Sequence, residues 1–231
     1  MIDILYEDNH VLAAVKPPNM PSQADASRDL DILTALKDYI GIKYKKPGNV
    51  YLGLVHRLDR PAGGVMVFAR TSKAAARLGA QFAANMRGRK YLAVVEGAPK
   101  KRAQMDDYLI KGADGMVRVA RAEDAGAKRA SLITAPIETR NGLTLMEVEL
   151  ITGRAHQIRV QHAHAGYPLW GDMRYGAQIP GRQLALWAYA VEIKHPTRDE
   201  TLNFRALPPK SGAWEDFYDV MAGRYPDAQK Q

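Results

Sequence analysis

The sequence predicts an α+β protein built on a largely antiparallel sheet. Three features carry that expectation. Apolar runs of strand length outnumber helical repeats, neighbouring runs are joined by turn-length connections, and Asn141-Gly142 lies between two long strand-like segments. Asn-Gly is the strongest short signal for a type I′ hairpin, and hairpins make antiparallel pairs.

The elements follow in chain order. Ile2 to Tyr6 and Val11 to Val15 are short apolar runs around Glu7-Asp8-Asn9-His10, the pattern of a hairpin. Lys16-Pro17-Pro18-Asn19-Met20-Pro21 stops the second strand, because proline cannot donate to a central ladder. Leu30, Leu33, Leu36 and Ile40 recur at helical spacing, with Asp29 or Asp31 as N-cap and Gly41 past the end. Lys43 to Asn49 reads as a polar, basic loop. Leu52 to Val55 and Val65 to Ala69 read as buried strands. Thr71 or Ser72 caps a helix to about Met86, with Leu78 and Phe82 on its buried face. Tyr91 to Val95 is a strand. Lys100 to Ala130 alternates weakly and predicts short peripheral strands and mobile loops. Ser131 to Arg140 and Leu143 to Ile151 form the Asn-Gly hairpin. Ala155 to Ala165 reads as a helix ended by Gly166. A glycine-marked loop from Tyr167 to Gly181 leads to a strand from Leu184 to Ile193. A turn at His195 to Arg198 precedes a strand from Leu202 to Arg205, and Trp214, Phe217 and Met221 predict a short C-terminal helix.

Composition narrows the function classes. The 231 residues are 46% hydrophobic and 25% charged, enough for one large domain or two intimate subdomains. There is no cysteine, which excludes disulfides, thiolate chemistry and cysteine-ligated metal. The N-terminus lacks the basic-then-apolar pattern of a signal peptide, and no apolar run approaches the roughly 20 residues of a membrane span. A soluble cytoplasmic protein without a membrane partner is expected. The net charge of +8 and pI near 9.6 suggest a polyanionic partner, nucleic acid first. A merely basic solvated surface is the alternative. Clustering tilts the balance, since Asn85 to Arg102 carries Arg87, Arg89, Lys90, Lys100, Lys101 and Arg102 against Glu96 alone.

Two charged constellations stand out. His56-Arg57-Leu58-Asp59-Arg60, followed by Pro61-Ala62-Gly63-Gly64, places one carboxylate among basic side chains on a turn between two core strands. Thr152-Gly153-Arg154-Ala155-His156-Gln157-Ile158-Arg159 runs from a strand through a glycine turn into a helix start. An anion can sit on the free N–H groups there, with Arg154 adding a charge-assisted contact. If Ala155 onward is helical, His156 and Arg159 share a face. A metal hydrolase reading finds no His-x-x-x-His pair, and a glycosidase needs two carboxylates where these strings offer one acid among many bases.

His56-Arg57-Leu58-Asp59-Arg60, Lys90-Tyr91-x-Ala93-x-Val95-x-Gly97 and Thr152-Gly153-Arg154-x-His156-Gln157-Ile158-Arg159 together resemble the RluA family of RNA pseudouridine synthases. Lys16-Pro17-Pro18 and Gly171-Asp172-x-x-Tyr175-Gly176 also match, and the likeness runs in order from about Ile4 to Phe204. The resemblance implies a single catalytic domain over residues 1–231 with two intimate subdomains. Its fold would be a mixed, mainly antiparallel sheet with flanking helices around a central RNA-binding cleft. It implies an isomerase that flips uridines out of structured ribosomal or transfer RNA. The alternative is an RNA-binding or RNA-chaperone protein that kept the fold without catalysis.

The resemblance also distributes roles. Asp59 matches the catalytic aspartate, Tyr91 the active-site tyrosine, Arg159 the basic residue that pairs with the aspartate, and Arg57 the arginine that helps displace the target base. His56, Arg154, His156, Gln157, Arg87, Arg89 and Lys90 are expected at the RNA. Product and substrate are isomers, so no cofactor and no catalytic metal are expected. Neither is an obligate protein partner, and the likeness favours a monomer. Three departures accompany the match. Ala62-Gly63-Gly64 replaces the Thr-Ser-Gly of many members, Gln161 stands where many carry histidine, and no S4 RNA-binding domain is expected before the first strand.

Overall fold

A computed structural model describes residues 2–84, 88–176 and 182–228. The chain forms two compact units. The first comprises Met1–Gly88, Ala188–Leu207 and Asp227–Gln231, the second Arg89–Trp187 and Pro208–Pro226. Every strand register described is antiparallel.

In the first unit, β1 (Ile4–Glu7) and β2 (Val11–Lys16) form the expected hairpin. Asp8 Oδ1 closes its turn by accepting from the His10 and Val11 amides, both at 2.7 Å. β3 (Gly53–Leu54) is a short edge on β4 (Gly63–Ala69), and the order continues β1-β2-β4-β10, with β10 spanning Leu186–Lys194. β11 (Thr201–Arg205) pairs with β10. All of β4 is buried, which explains its unbroken apolar run in place of alternation. Val65, Val67 and Ala69 share a core with Val11, Ala13, Val191 and Phe204 and with Leu78 and Phe82 of α2 (Ser72–Ala84).

α1 (Ile32–Lys43) starts as the spacing predicts. Asp31 accepts from Thr34 N at 2.9 Å and from Thr34 Oγ1 at 2.7 Å. Gly41, expected past its end, lies inside it. The helix instead stops at Tyr44, whose amide donates back to the Ile40 carbonyl, and Lys45, whose amide donates to the Ile42 carbonyl, then turns the chain at φ 48. Gly64 is the glycine that the packing requires. It has φ +124, and a Cβ there would lie 2.5 Å from the Ala188 amide nitrogen and closer still to its carbonyl oxygen.

In the second unit the order is β5-β9-β8-β6-β7. The strands are β5 (Arg89–Glu96), β6 (Ala103–Lys111), β7 (Val117–Ala120), β8 (Lys128–Arg140) and β9 (Leu143–Leu150). Asn141 and Gly142 both have positive φ, 51 and 76, as a type I′ turn demands. β6 is longer than expected and pairs with β8 from Ala103↔Thr134 to Leu109↔Lys128. Much of it is solvent-exposed, so no core face imposes a clear alternation on its sequence.

α3 (Gln157–His164) begins later than Ala155, because His156 takes a left-handed conformation at φ 53. His156 and Arg159 therefore do not share a helix face, a correction to the spacing argument. Gln161, the departure from histidine, is buried in this helix and donates to Asp107 Oδ2 at 2.7 Å. A 3-10 turn, Gly212–Phe217, and α4 (Tyr218–Arg224) supply the C-terminal helix, with Trp214, Phe217 and Met221 buried. No described helix is long and apolar enough to cross a membrane.

The Gly64 contact yields a stability test. Gly64→Ala is expected to destabilise the protein by about 3 kcal/mol in denaturant unfolding, since the clash is with backbone that cannot rotate away. Gly142→Ala also has positive φ but open space around it, and is expected to cost only about 1 kcal/mol. Equal losses would show that the Ala188 contact adds nothing.

Candidate active site

In the first unit the site is built around the turn after β3. Asp59 is half-buried there, and its carbonyl accepts from the Ala62 amide at 3.0 Å. Both flanks are held by buried side chains. Ser22 Oγ donates to the Leu58 carbonyl at 2.7 Å and accepts from the Leu58 amide at 3.1 Å. Lys16 Nζ donates to the Arg60 carbonyl at 3.1 Å, and also to Pro17 O at 3.0 Å and Met20 O at 2.7 Å. The backbone around Asp59 is thus pinned before and after the carboxylate.

The cations around Asp59 are not disposed as the string suggests. His56 turns into the core, where Nε2 accepts from the Val67 amide at 2.9 Å and the ring packs 4.5 Å from Phe82. Its expected place at the RNA gives way to a role in holding the turn against β4. Arg60 turns outward, donates to Ser27 Oγ at 2.8 Å and pairs with Asp29 and Asp25. Arg57 is exposed. The buried cation behind the turn is Lys16. Burial drives its pKa down to about 8, the Asp59 charge opposes that shift, and Arg60 adds to it. In the sequence Lys16 stands beside two prolines, and local spacing gives it no task. The available signal was a lysine ending a buried strand.

In the second unit Tyr91 is buried on β5, opposite Val148 on β9. Arg159 on α3 is buried and binds Asp172 through two parallel bonds, Nε to Oδ2 and Nη2 to Oδ1, both 2.7 Å. Side-chain exposure is 6% for Arg159 and 0% for Asp172. A bidentate fork of this kind fixes the plane of the guanidinium as well as its position. Tyr175 packs beside it, with the Arg159 guanidinium 5.0 Å from the ring centroid. The Tyr175 hydroxyl bridges the Val117 amide at 3.2 Å and His156 Nδ1 at 2.6 Å. His156 and Arg159 are therefore brought together by Tyr175 and not by helical spacing. The left-handed backbone at His156 costs on the order of 1 kcal/mol for a non-glycine residue, and this network holds it there. Asp172 and Tyr175 appeared in the sequence only as parts of a matching string.

The remaining candidates fall into two groups. Lys90 and Arg154 are exposed, and Arg154 Nε donates to the Arg129 carbonyl at 2.9 Å. Arg89 and Gln157 are buried. The Gln157 amide is used within the fold: Oε1 accepts from Thr152 Oγ1 at 2.8 Å and Arg154 N at 2.9 Å, while Nε2 donates to Ser131 O at 3.0 Å. It shapes the Thr152–Arg154 turn from within, where an RNA contact had been expected. Arg87 lies outside the described residues. Among the described residues no group of three or more His, Asp or Glu side chains is placed to hold a metal ion.

Comparison with known proteins agrees with the motifs. Residues 10–164 match the profile of the RNA pseudouridylate synthase family. The chain is 31% identical to ribosomal large subunit pseudouridine synthase D of Zymomonas mobilis, covering 90% of this chain and 70% of that protein. It is 33% identical to ribosomal large subunit pseudouridine synthase D of Pseudomonas aeruginosa, covering 92% and 70%. Its fold is similar to that of human RNA pseudouridylate synthase domain containing 4, with TM-score 0.75, 22% identity, and coverage of 90% of this chain and 89% of that one.

Two variants test the geometry. The folded chain releases the Lys16 proton near pH 8, whereas the unfolded chain keeps it to about 10.5. The unfolded state therefore binds more protons between those values, and stability attributable to Lys16 rises with pH across that window. The unfolding free energy of wild type minus that of Lys16→Met is expected to climb from pH 8 to 10, and a flat difference would refute the burial of a charged ammonium. Asp172→Ala is expected to cost about 3–5 kcal/mol by leaving a buried guanidinium without its carboxylate. A loss under 1 kcal/mol would place that ion pair in solvent.

Proposed function

The chain belongs to the RNA pseudouridylate synthase family, and on that premise we propose that it isomerises uridine to pseudouridine in ribosomal RNA. The ribosomal target is carried by the names of its relatives. The observation that most supports the chemistry is the Asp59 turn, a half-buried carboxylate on a backbone gripped on both sides by Ser22 and Lys16. Groups held in place before substrate arrives need no rearrangement during the reaction.

The reaction breaks the N1–C1′ bond of uridine, turns the uracil, and forms a C5–C1′ bond. C5 loses a proton and N1 ends with one, so substrate and product have the same atoms. As the glycosidic bond breaks, C1′ becomes electron-poor, and the proposed role of Asp59 is to meet that centre with its carboxylate. Tyr91 is proposed to stack on the uracil and to handle the C5 proton through its hydroxyl. Arg159 is proposed, as the family motif implies, to be the basic partner of the catalytic aspartate. Its permanent charge and its fork on Asp172 suit that task.

The uridine must first leave its stack, at a cost of a few kcal/mol in a duplex and less in a loop. Arg57 is exposed on the same turn as Asp59 and is proposed to fill the vacated space. Lys90 and Arg154 are the exposed cations proposed to hold phosphates. His56, Arg89 and Gln157 are buried, and no phosphate contact is proposed for them.

Asp59→Asn is expected to abolish pseudouridine formation on ribosomal RNA while leaving RNA affinity within a few-fold of wild type. Normal turnover by this variant would remove Asp59 from the chemistry. Wild-type protein that binds RNA but yields no pseudouridine would establish the RNA-chaperone reading instead.

A further inference from the structure

The first unit carries a basic and aromatic surface that the catalytic reading does not use. Between Tyr39 and Leu58 the chain has no acidic residue, yet it holds Lys43, Lys45, Lys46, Tyr44 and Tyr51. Glu7 organises this surface from below. Its buried carboxylate accepts from Tyr39 Oη at 2.9 Å, Lys43 Nζ at 2.6 Å and Arg70 Nη1 at 2.9 Å. One carboxylate therefore fixes three side chains. The Arg70 guanidinium lies 4.9 Å from the Tyr44 ring centroid and Lys43 Nζ 5.5 Å from it.

A ring held this firmly would ordinarily be core. Tyr44 is nevertheless 45% exposed and Tyr51 51% exposed. The Tyr51 hydroxyl reaches back over Gly53, where a Cβ would be only 3.0 Å from it. Gly53 pairs with Ala69, next to Arg70, so both rings gather at the Ala69 end of β4. Lys45 and Lys46 are exposed beside them and have no ion-pair partner among the described residues. Preorganised, exposed tyrosines among unpaired lysines are what a nucleic-acid strand needs, with a face for each base and a charge for each phosphate. Charge complementarity favours RNA over protein here, although Ile42 nearby is also exposed.

We propose that Tyr44, Tyr51, Lys45 and Lys46 form a second RNA platform, on which unpaired bases flanking the modified site stack. The proposal rests on the pseudouridine synthase reading and extends it beyond the reacting nucleotide. β4 runs from the Asp59 turn to this platform. Its length is about 20 Å at about 3.3 Å per residue, or about six nucleotides at about 3.4 Å each.

The test compares two RNAs with the full chain: a minimal hairpin bearing the target uridine, and the same hairpin extended by about ten unpaired nucleotides to outrun that span. Tyr44→Ala with Tyr51→Ala is expected to raise Kd for the extended RNA by about tenfold per lost stacked base. Kd for the hairpin should be unchanged, as should kcat at saturation. Tyr51→Phe should bind as wild type, because stacking needs the ring and not the hydroxyl. Lys45→Ala with Lys46→Ala is expected to lower the log–log salt slope on the extended RNA by about 0.7 per lost phosphate contact. Equal losses on both RNAs, or none on either, would overturn the platform, and the latter would hand the surface to a protein partner. The two readings fail separately: lost length dependence overturns the platform, whereas absence of pseudouridine in the wild-type product overturns the isomerase.

Discussion

The Lys16 ammonium, at the buried end of β2, joins three backbone carbonyls from two separate stretches of chain: Pro17 and Met20 on one side, Arg60 on the other. A charge removed from water must be hydrogen-bonded or it is driven neutral. Here the carbonyls do the solvating, and the only route to all three is to fold the Pro17–Pro21 segment against the Asp59 turn. The Asp59 carboxylate then acts on the same ammonium, opposing the loss of its proton. A structural cation and the proposed catalytic anion are thus linked. The position of Asp59 depends on a residue 43 positions earlier in the chain.

The second unit solves a similar problem with different means. Arg159 cannot shed its charge, so its burial demands a carboxylate, and Asp172 supplies one with both oxygens. Tyr175, three residues further on, packs beside the guanidinium and ties His156 to the β7 strand through Val117. The Gly171-to-Gly176 segment is therefore a brace for the arginine string. Gly171 serves the same end: a Cβ there would press on the Gln183 backbone at 2.5 Å, so that close approach requires glycine. The surface ion pairs, such as Arg60 with Asp29, stand in water and add little by comparison.

Glu7 is the third case of the same principle. Its carboxylate is buried beneath Lys43, Arg70 and Tyr39, and the result is an ordered surface and not an ordered core. In all three places a buried charge sets the direction of side chains that would otherwise be long and mobile. The entropy of fixing a lysine, arginine or tyrosine is spent during folding and not during binding.

Much of the frame was legible in the chain. Asn141-Gly142 specified its turn because both residues had to adopt positive φ, and Asp31 specified a helix start because its oxygen meets the Thr34 amide three residues on. These are contacts within four residues, and local sequence decides them. The charged strings likewise marked Asp59 and Arg159 as residues to watch. Tertiary structure decided the rest. It sent His56 inward to Val67 and Arg60 outward to Asp29, carried α1 through Gly41, and started α3 after His156 instead of before it. It also gave Lys16 and Asp172 their work. Each of these outcomes depends on which groups the fold brings together. That is fixed by strand and helix packing over tens of residues, and side-chain periodicity along the sequence carries no record of it.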